Sequence, residues 1–272
     1  MKALLPQYLQ LMSLSIIAAN QKSQEPNFRV LHGVDDLYNE HPYVVSLESS
    51  RSQFYGFEIY RHCSGNLLQP RWVLTTAHCI SANIRRVRYG DMTIPRNTTR
   101  ALKKVIKVVP HPSYKEMIDL YYMINNIGLV LIEKIENMST FAKLSAIDYK
   151  TFTGVKVRYA GFGFTFGHDE DFLSHRQKDE SKPLQIGEGL TVPCSIETRI
   201  IRPLICVRPK CENKVQKSAS GDSGGPLLFN GKVIAIMSGG YGVESFNTPV
   251  SPYLDWLSDV MDEKIEPFPV YV

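Results

Sequence analysis

At 272 residues the chain is long enough to bury a large core, as one domain or as two closely packed halves. A hydrophobic content of 43% with 21% charged residues excludes a disordered chain, and a net charge of +4 gives no reason to expect a nucleic-acid partner. The N-terminus opens on Met1-Lys2 and an apolar stretch through Leu4-Leu5, Leu9, Leu11-Met12 and Leu14-Ser15-Ile16-Ile17-Ala18-Ala19, broken only by polar or kinking residues such as Pro6, Gln7 and Gln10. One early positive charge, an apolar centre and small residues at the end describe a secretory signal peptide over residues 1–19; an N-terminal anchor or a buried helix is the alternative. No later apolar run is long enough to span a bilayer, so no further membrane contact is expected.

Residues 20–29 are short and polar and read as a linker or propeptide. From Val30 the chain turns to short runs rich in Val, Ile, Tyr and Phe: Tyr43–Leu47, Trp72–Leu74, Val105–Val109, Leu129–Ile132, Val155–Tyr159 and Val233–Ile236, separated by turn residues. This is all-β patterning. Between Thr165 and Pro183 the chain is charged and poor in apolar residues, as expected of an exposed loop. Its His168 and His175 stand near several acids at spacings that fit no metal template, so no metal is expected. A helix is expected only at the end, from Tyr253 to about Lys264, with Leu254, Leu257 and Met261 on one face. Five cysteines in a secreted chain point to disulfides. Asn97 and Asn137 head glycosylation sequons. The stretch from Arg85 to Lys107 carries Arg85, Arg86, Arg88, Arg96, Arg100, Lys103, Lys104 and Lys107 against the single acid Asp91. It reads as a solvated barrel face, with a site for an acidic protein or sulfated polysaccharide as the alternative.

Two segments carry the strongest chemical signal: Thr75-Thr76-Ala77-His78-Cys79 and Gly221-Asp222-Ser223-Gly224-Gly225-Pro226. Others stand around them in order: Arg29-Val30-Leu31-His32-Gly33, then Cys63-Ser64-Gly65-Asn66-Leu67-Leu68 with Pro70-Arg71-Trp72-Val73-Leu74, His111-Pro112-Ser113-Tyr114, Ala160-Gly161-Phe162-Gly163, and Tyr253-Leu254-Asp255-Trp256-Leu257. Each alone is weak; in this order they are specific, and the chain resembles the trypsin/chymotrypsin-like serine proteases from Arg29 to the C-terminal helix. The resemblance implies an all-β fold of two packed six-stranded antiparallel β-barrels with a C-terminal helix. The protease domain would span residues 30–272, with the active site in the cleft between the barrels.

By the same resemblance Ser223 is the nucleophile, His78 the base, and the N–H groups of Gly221 and Ser223 the oxyanion hole. Trypsin-like cleavage after Arg29 would free the Val30 amine to pair with Asp222 and order that loop. Cys63 would pair with Cys79 and Cys194 with Cys206, leaving Cys211 free or competing for a partner. The family's catalytic Asp, however, falls on Asn126, with Asp119 the nearest upstream acid. Asn is neutral, and its amide can donate to His78 Nδ1 and place the ring proton on Nε2, where it disables the base. Lys217 stands where trypsin has an Asp at the pocket base: it would repel Lys or Arg and favour an acidic residue, or turn to solvent, which its rebuilt surroundings favour. Ser238-Gly239-Gly240 resembles a substrate-binding Ser-Trp-Gly with its wall removed, His32 replaces a usual Gly, Ala219 and Val243 replace a disulfide pair, and Val243–Asn247 reads as a shortened loop. The expected function is therefore a secreted serine endopeptidase, monomeric and without cofactor, acting on protein or peptide substrates after activation by a trypsin-like protease, with activity strongly weakened by Asn126. The alternative is a non-cleaving homologue that works as a binding partner in an extracellular cascade.

Overall fold

The computed structural model describes residue 30 and residues 33–53, 56–81, 83–94, 98–116, 123–163, 183–194, 203–210 and 216–262. The signal and propeptide segments, Arg29, His32, Asn97, Asp119, the charged loop up to Pro183, Cys211 and the helix end at Lys264 lie outside them.

The described chain is built of short antiparallel strands. In chain order they are β1 (Val34–Asp35), β2 (Val44–Gln53), β3 (Gly56–Gln69), β4 (Trp72–Thr75), β5 (Ile84–Arg88), β6 (Leu102–Pro110), β7 (Lys115–Glu116), β8 (Met123–Ile124), β9 (Gly128–Ile132), β10 (Lys156–Gly161), β11 (Gln185–Val192), β12 (Ile205–Pro209), β13 (Pro226–Phe229), β14 (Lys232–Tyr241) and β15 (Glu244–Pro249). Strands β2-β3-β4-β9-β6-β5 close a six-stranded barrel. The order β11-β10-β13-β14-β15-β12 closes a second one through a β11–β12 pairing, with β1 added on the outside of β11. β7 and β8 form a separate two-stranded ribbon. Closure removes the exposed edges that open sheets must protect.

The apolar runs fill these barrels. In β9 all five residues are buried, because the strand lies between β4 and β6 with both faces covered. Leu47, Leu67, Val73, Leu74, Val130 and Leu131 are fully buried in the first core, and Val157, Leu227, Ile234 and Met237 form the second with Val30. The C-terminal helix, Leu254–Asp262, buries Leu257 fully, while Leu254 and Met261 are only half-buried. It packs on the first core, and both Tyr253 and Trp256 set their rings edge-on to His111, with centroids 5.3 and 4.9 Å apart. Val243–Asn247 is no loop: Gly242 and Val243 make a two-residue hairpin turn and the rest is strand β15.

Both implied disulfides are present, Cys63–Cys79 and Cys194–Cys206. Asn137 is exposed. Among the basic residues, Arg85, Arg86, Arg100, Lys104 and Lys107 are exposed and Lys103 half-buried. Arg88 is the exception. It is 1% exposed, and its guanidinium turns inward, donating to the carbonyls of Met92 and Ile94.

Leu131→Ala, at a site with no exposure, is expected to cost about 2–5 kcal/mol of unfolding free energy in urea titration. Val108→Thr, on the outer face of β6, is expected to stay within about 0.5 kcal/mol.

Candidate active site

The nucleophile loop is anchored across the molecule to β3. The Ser64 N–H donates to the Ser223 carbonyl at 2.8 Å, the Ser64 hydroxyl to the Gly221 carbonyl at 2.9 Å, and Asn66 Nδ2 to the Gly224 carbonyl at 2.8 Å. With their carbonyls turned toward β3, Gly221 and Ser223 present their N–H groups elsewhere. Among the described residues neither N–H has an acceptor within the protein. The turn demands glycine at two points: Gly221 has φ +95 and Gly224 φ +83, and a Cβ on Gly224 would run into Thr75 and the Ser64 carbonyl.

Asp222 lies beneath this loop with no exposure. Its carboxylate accepts the Gly163 N–H at 2.8 Å and the Ala219 N–H at 2.7 Å. Gly163 has to be glycine, since a Cβ there would sit 2.6 Å from the Asp222 carboxyl carbon. Tyr159 borders both Asp222 and Val30: burial first, then the Asp222 charge, pushes its hydroxyl well above the usual tyrosine range. Val30 is itself fully buried at this place.

His78 sits on the short helix Ala77–Ser81 that follows β4, and Asn126 precedes β9, the strand paired with β4. A left-handed turn at Asn125 (φ +51) aims Asn126 inward, and Asn tolerates that conformation better than most residues. The Asn125 side chain holds the turn, donating to the Ser113 carbonyl and accepting from the Tyr253 hydroxyl, both at 3.0 Å. The structure thus brings His78, Asn126 and the Ser223 loop together.

The orientation of the Asn126 amide decides the chemistry. Its Oδ1 accepts the backbone N–H of His78 at 3.0 Å. A backbone N–H can only donate, so oxygen must occupy this position. That fixes Nδ2, which lies 2.9 Å from His78 Nδ1, nearer than Oδ1 at 3.2 Å. Nδ2 also points at Met123 Sδ, 3.2 Å away. An amide NH₂ can only donate, so a neutral His78 that meets Nδ2 accepts it through Nδ1 and carries its ring proton on Nε2. On that side, Cys79 Sγ lies 3.6 Å from Nε2 and equally 3.6 Å from the Ser223 carbonyl oxygen. A disulfide sulfur has no proton to donate, so this contact fits the same tautomer. Among the described residues no hydrogen bond joins the Ser223 hydroxyl to His78. Cys63, His78 and Cys79 bring three potential ligand atoms within 4.8 Å of one another, but both sulfurs are joined in the disulfide and offer no thiolate.

A cavity of about 300 Å³ opens beside Ser223. Lys217, Gly239 and Gly240 line it, and Lys217 faces the cavity wall rather than solvent alone, its Nζ 3.4 Å from the Gly242 carbonyl. Ser238 sets its hydroxyl on that of Thr248 at 2.6 Å. Two lining features were not read from the sequence. Glu244 is 5% exposed and pairs with Arg208 at 3.0 Å, and Tyr159 forms part of the wall. Glu244 follows a Gly-Val turn, where a charge ordinarily faces solvent. It pairs with Tyr241 across the hairpin and with the Arg208 side chain of β12, neighbours that local sequence does not reveal.

The family model described as Trypsin matches residues 30–257. Similar proteins include Trypsin-3 of Salmo salar, 26% identical over 240 residues that cover 86% of this chain and 93% of that protein. Anionic trypsin of Canis lupus familiaris is 26% identical over 251 residues, with coverages of 86% and 90%. Trypsin of Simulium vittatum is 27% identical over 253 residues, with coverages of 89% and 96%.

Asp222→Asn would set an NH₂ against one of the two N–H donors that the carboxylate now accepts. The expected loss is about 1–3 kcal/mol in urea unfolding, with faster amide exchange at Gly163 or Ala219. Unchanged stability and exchange would show that these two bonds do not hold the loop.

Proposed function

The chain belongs to the trypsin family of serine proteases, and on that premise we propose that it is a secreted, cleavage-activated serine endopeptidase in outline whose hydrolytic step Asn126 strongly weakens. The observation that carries this reading is the Asn126 amide, locked by the His78 backbone N–H and donating to His78 Nδ1. Peptide hydrolysis needs a lone pair on Nε2 to take the Ser223 proton and a carboxylate to stabilise the imidazolium that results. The amide removes both. Replacing the carboxylate by an amide in a Ser-His-Asp triad lowers kcat by ~10⁴, which corresponds to about 5–6 kcal/mol of transition-state stabilisation. Oxyanion donors and substrate binding, here assigned to the Gly221 and Ser223 N–H groups and to the cavity beside Ser223, would sustain a residual rate.

Secretion is supported by the N-terminal apolar stretch, by two disulfides and by the exposed sequon at Asn137. Cleavage after Arg29 as the switch is supported by the buried Val30 side chain and by Tyr159, which borders both Val30 and Asp222. The same amide favours a second reading, a non-cleaving homologue that acts by binding. For that role the exposed cations of β5 and β6 offer a face to an acidic partner.

The deciding experiment compares the chain with Asn126→Asp, each before and after trypsin cleavage at Arg29, by fluorophosphonate labelling of Ser223 and by peptide turnover. The expected outcome is labelling that requires cleavage, with kcat raised by about 10⁴ in the Asp variant. An Asp variant that labels after cleavage yet turns over no faster than the native chain would remove Asn126 as the limiting group. No labelling in any form would leave only the binding role.

A further inference from the structure

Resting on the reading above for Ser223 as the reacting residue, we propose that the cavity beside it accepts an acidic substrate side chain, Asp or Glu, and that Lys217 is the residue that selects it. The charges lining the cavity carry this. Two lining residues are charged, Lys217 and Glu244. Glu244 is buried and its carboxylate is already met by Arg208 Nε at 3.0 Å. Lys217 has no carboxylate partner among the described residues; its ammonium reaches only the neutral Gly242 carbonyl, at 3.4 Å. Among the described residues the cavity lining therefore keeps one positive charge that no carboxylate meets.

The remaining polar wall suits an anion as well. Ser218, Ser220 and Ser245 are also among the residues that line it. Gln216 accepts the Glu188 N–H at 2.8 Å through its Oε1, so its amide NH₂ is left as a donor. A carboxylate can accept from the ammonium and from these donors together, and charge-assisted bonds of this kind are about twice as strong as neutral ones. A Lys or Arg side chain would meet a like charge and find Glu244 already paired. A large aromatic side chain would lack a wall, because Gly239 carries no side chain and a Cβ there would find nothing within 4 Å. At about 300 Å³ the cavity stands at the small end of ligand sites, which suits one amino-acid side chain.

Binding tests this without requiring turnover. The full chain carrying Ser223→Ala, cleaved at Arg29, is titrated with dye-labelled peptides that differ at one residue (Glu, Asp, Gln, Lys or Leu), read by fluorescence polarisation. The expected result is binding of the Glu and Asp peptides at least about tenfold tighter than Gln, with Lys weakest. In that background Lys217→Gln should erase the preference and Lys217→Asp should reverse it toward Lys, with thermal unfolding confirming that both variants fold. Equal binding of Glu and Gln, tightest binding of Lys, a preference that survives Lys217→Gln, or no peptide binding at all would each overturn the proposal. Fluorophosphonate labelling of the native Ser223 separates the two claims. An acid preference without labelling removes the endopeptidase reading and leaves the pocket assignment standing, whereas labelling without an acid preference removes the pocket assignment alone.

Discussion

The seam at β3 is the constraint on which the site depends. Ser64 and Asn66 belong to the first barrel, yet their side chains and the Ser64 N–H are bonded to Gly221, Ser223 and Gly224 of the second. The Ser64 hydroxyl also accepts the Phe162 N–H at 2.9 Å, and the Ser64 carbonyl accepts the Thr75 hydroxyl at 2.9 Å. One serine thus ties the nucleophile loop, the strand that leads to His78, and the glycine-flanked Phe162 segment beside Asp222. Asn66, Thr75 and Ser64 are fully buried, so these bonds form away from competing water and leave a large penalty if broken. The two barrels also share apolar packing, since the first core runs on through Ala160, Leu228, Val233 and Ile236 of the second barrel, and these bonds fix the nucleophile loop across that contact.

A second constraint acts on the same site in the opposite sense. The scaffold around position 126 is suited to a carboxylate: a backbone N–H donates to it, and the imidazole lies at hydrogen-bond distance. Asn126 fits the same space and keeps the bond to the His78 N–H, so the fold is preserved at little cost. What changes is a single hydrogen position. The atom facing Nδ1 becomes a donor, and the proton moves to the nitrogen that ought to be bare. Asn126 neither lines the cavity nor anchors the Ser223 loop, so in the proposed reading the exchange acts on the hydrolytic step and leaves recognition alone.

The fold was legible from the sequence because its signals are local. Short apolar runs such as Leu129–Ile132 announce buried strands, and His78, Ser223 and the cysteines stand in segments of recognisable order. Asn126 was legible as a departure, and the tautomer it imposes could be anticipated as one possibility. Which way the amide points was not legible, because that depends on the His78 backbone N–H, 48 residues away in sequence. The inward turn of Arg88 was equally hidden. In sequence it is one of eight cations, and the curl of Met92 to Ile94 beneath it supplies two of its acceptors. Glu244 was not legible at all, and the sequence left Lys217 between the pocket base and solvent, since the wall they share is assembled from β14, β15 and the approach to Ser223.

The most direct measurement is the protonation of the His78 ring itself. Long-range ¹H–¹⁵N spectra of the histidine-labelled native chain, recorded at a pH where the imidazole is neutral and assigned with a His78 variant, report which nitrogen carries the proton. The expected result is a protonated Nε2 with a bare Nδ1, switching to a protonated Nδ1 in Asn126→Asp. A protonated Nδ1 in the native chain would mean that Asn126 presents its oxygen to the ring, that the base is intact, and that the weakening assigned to this residue is wrong.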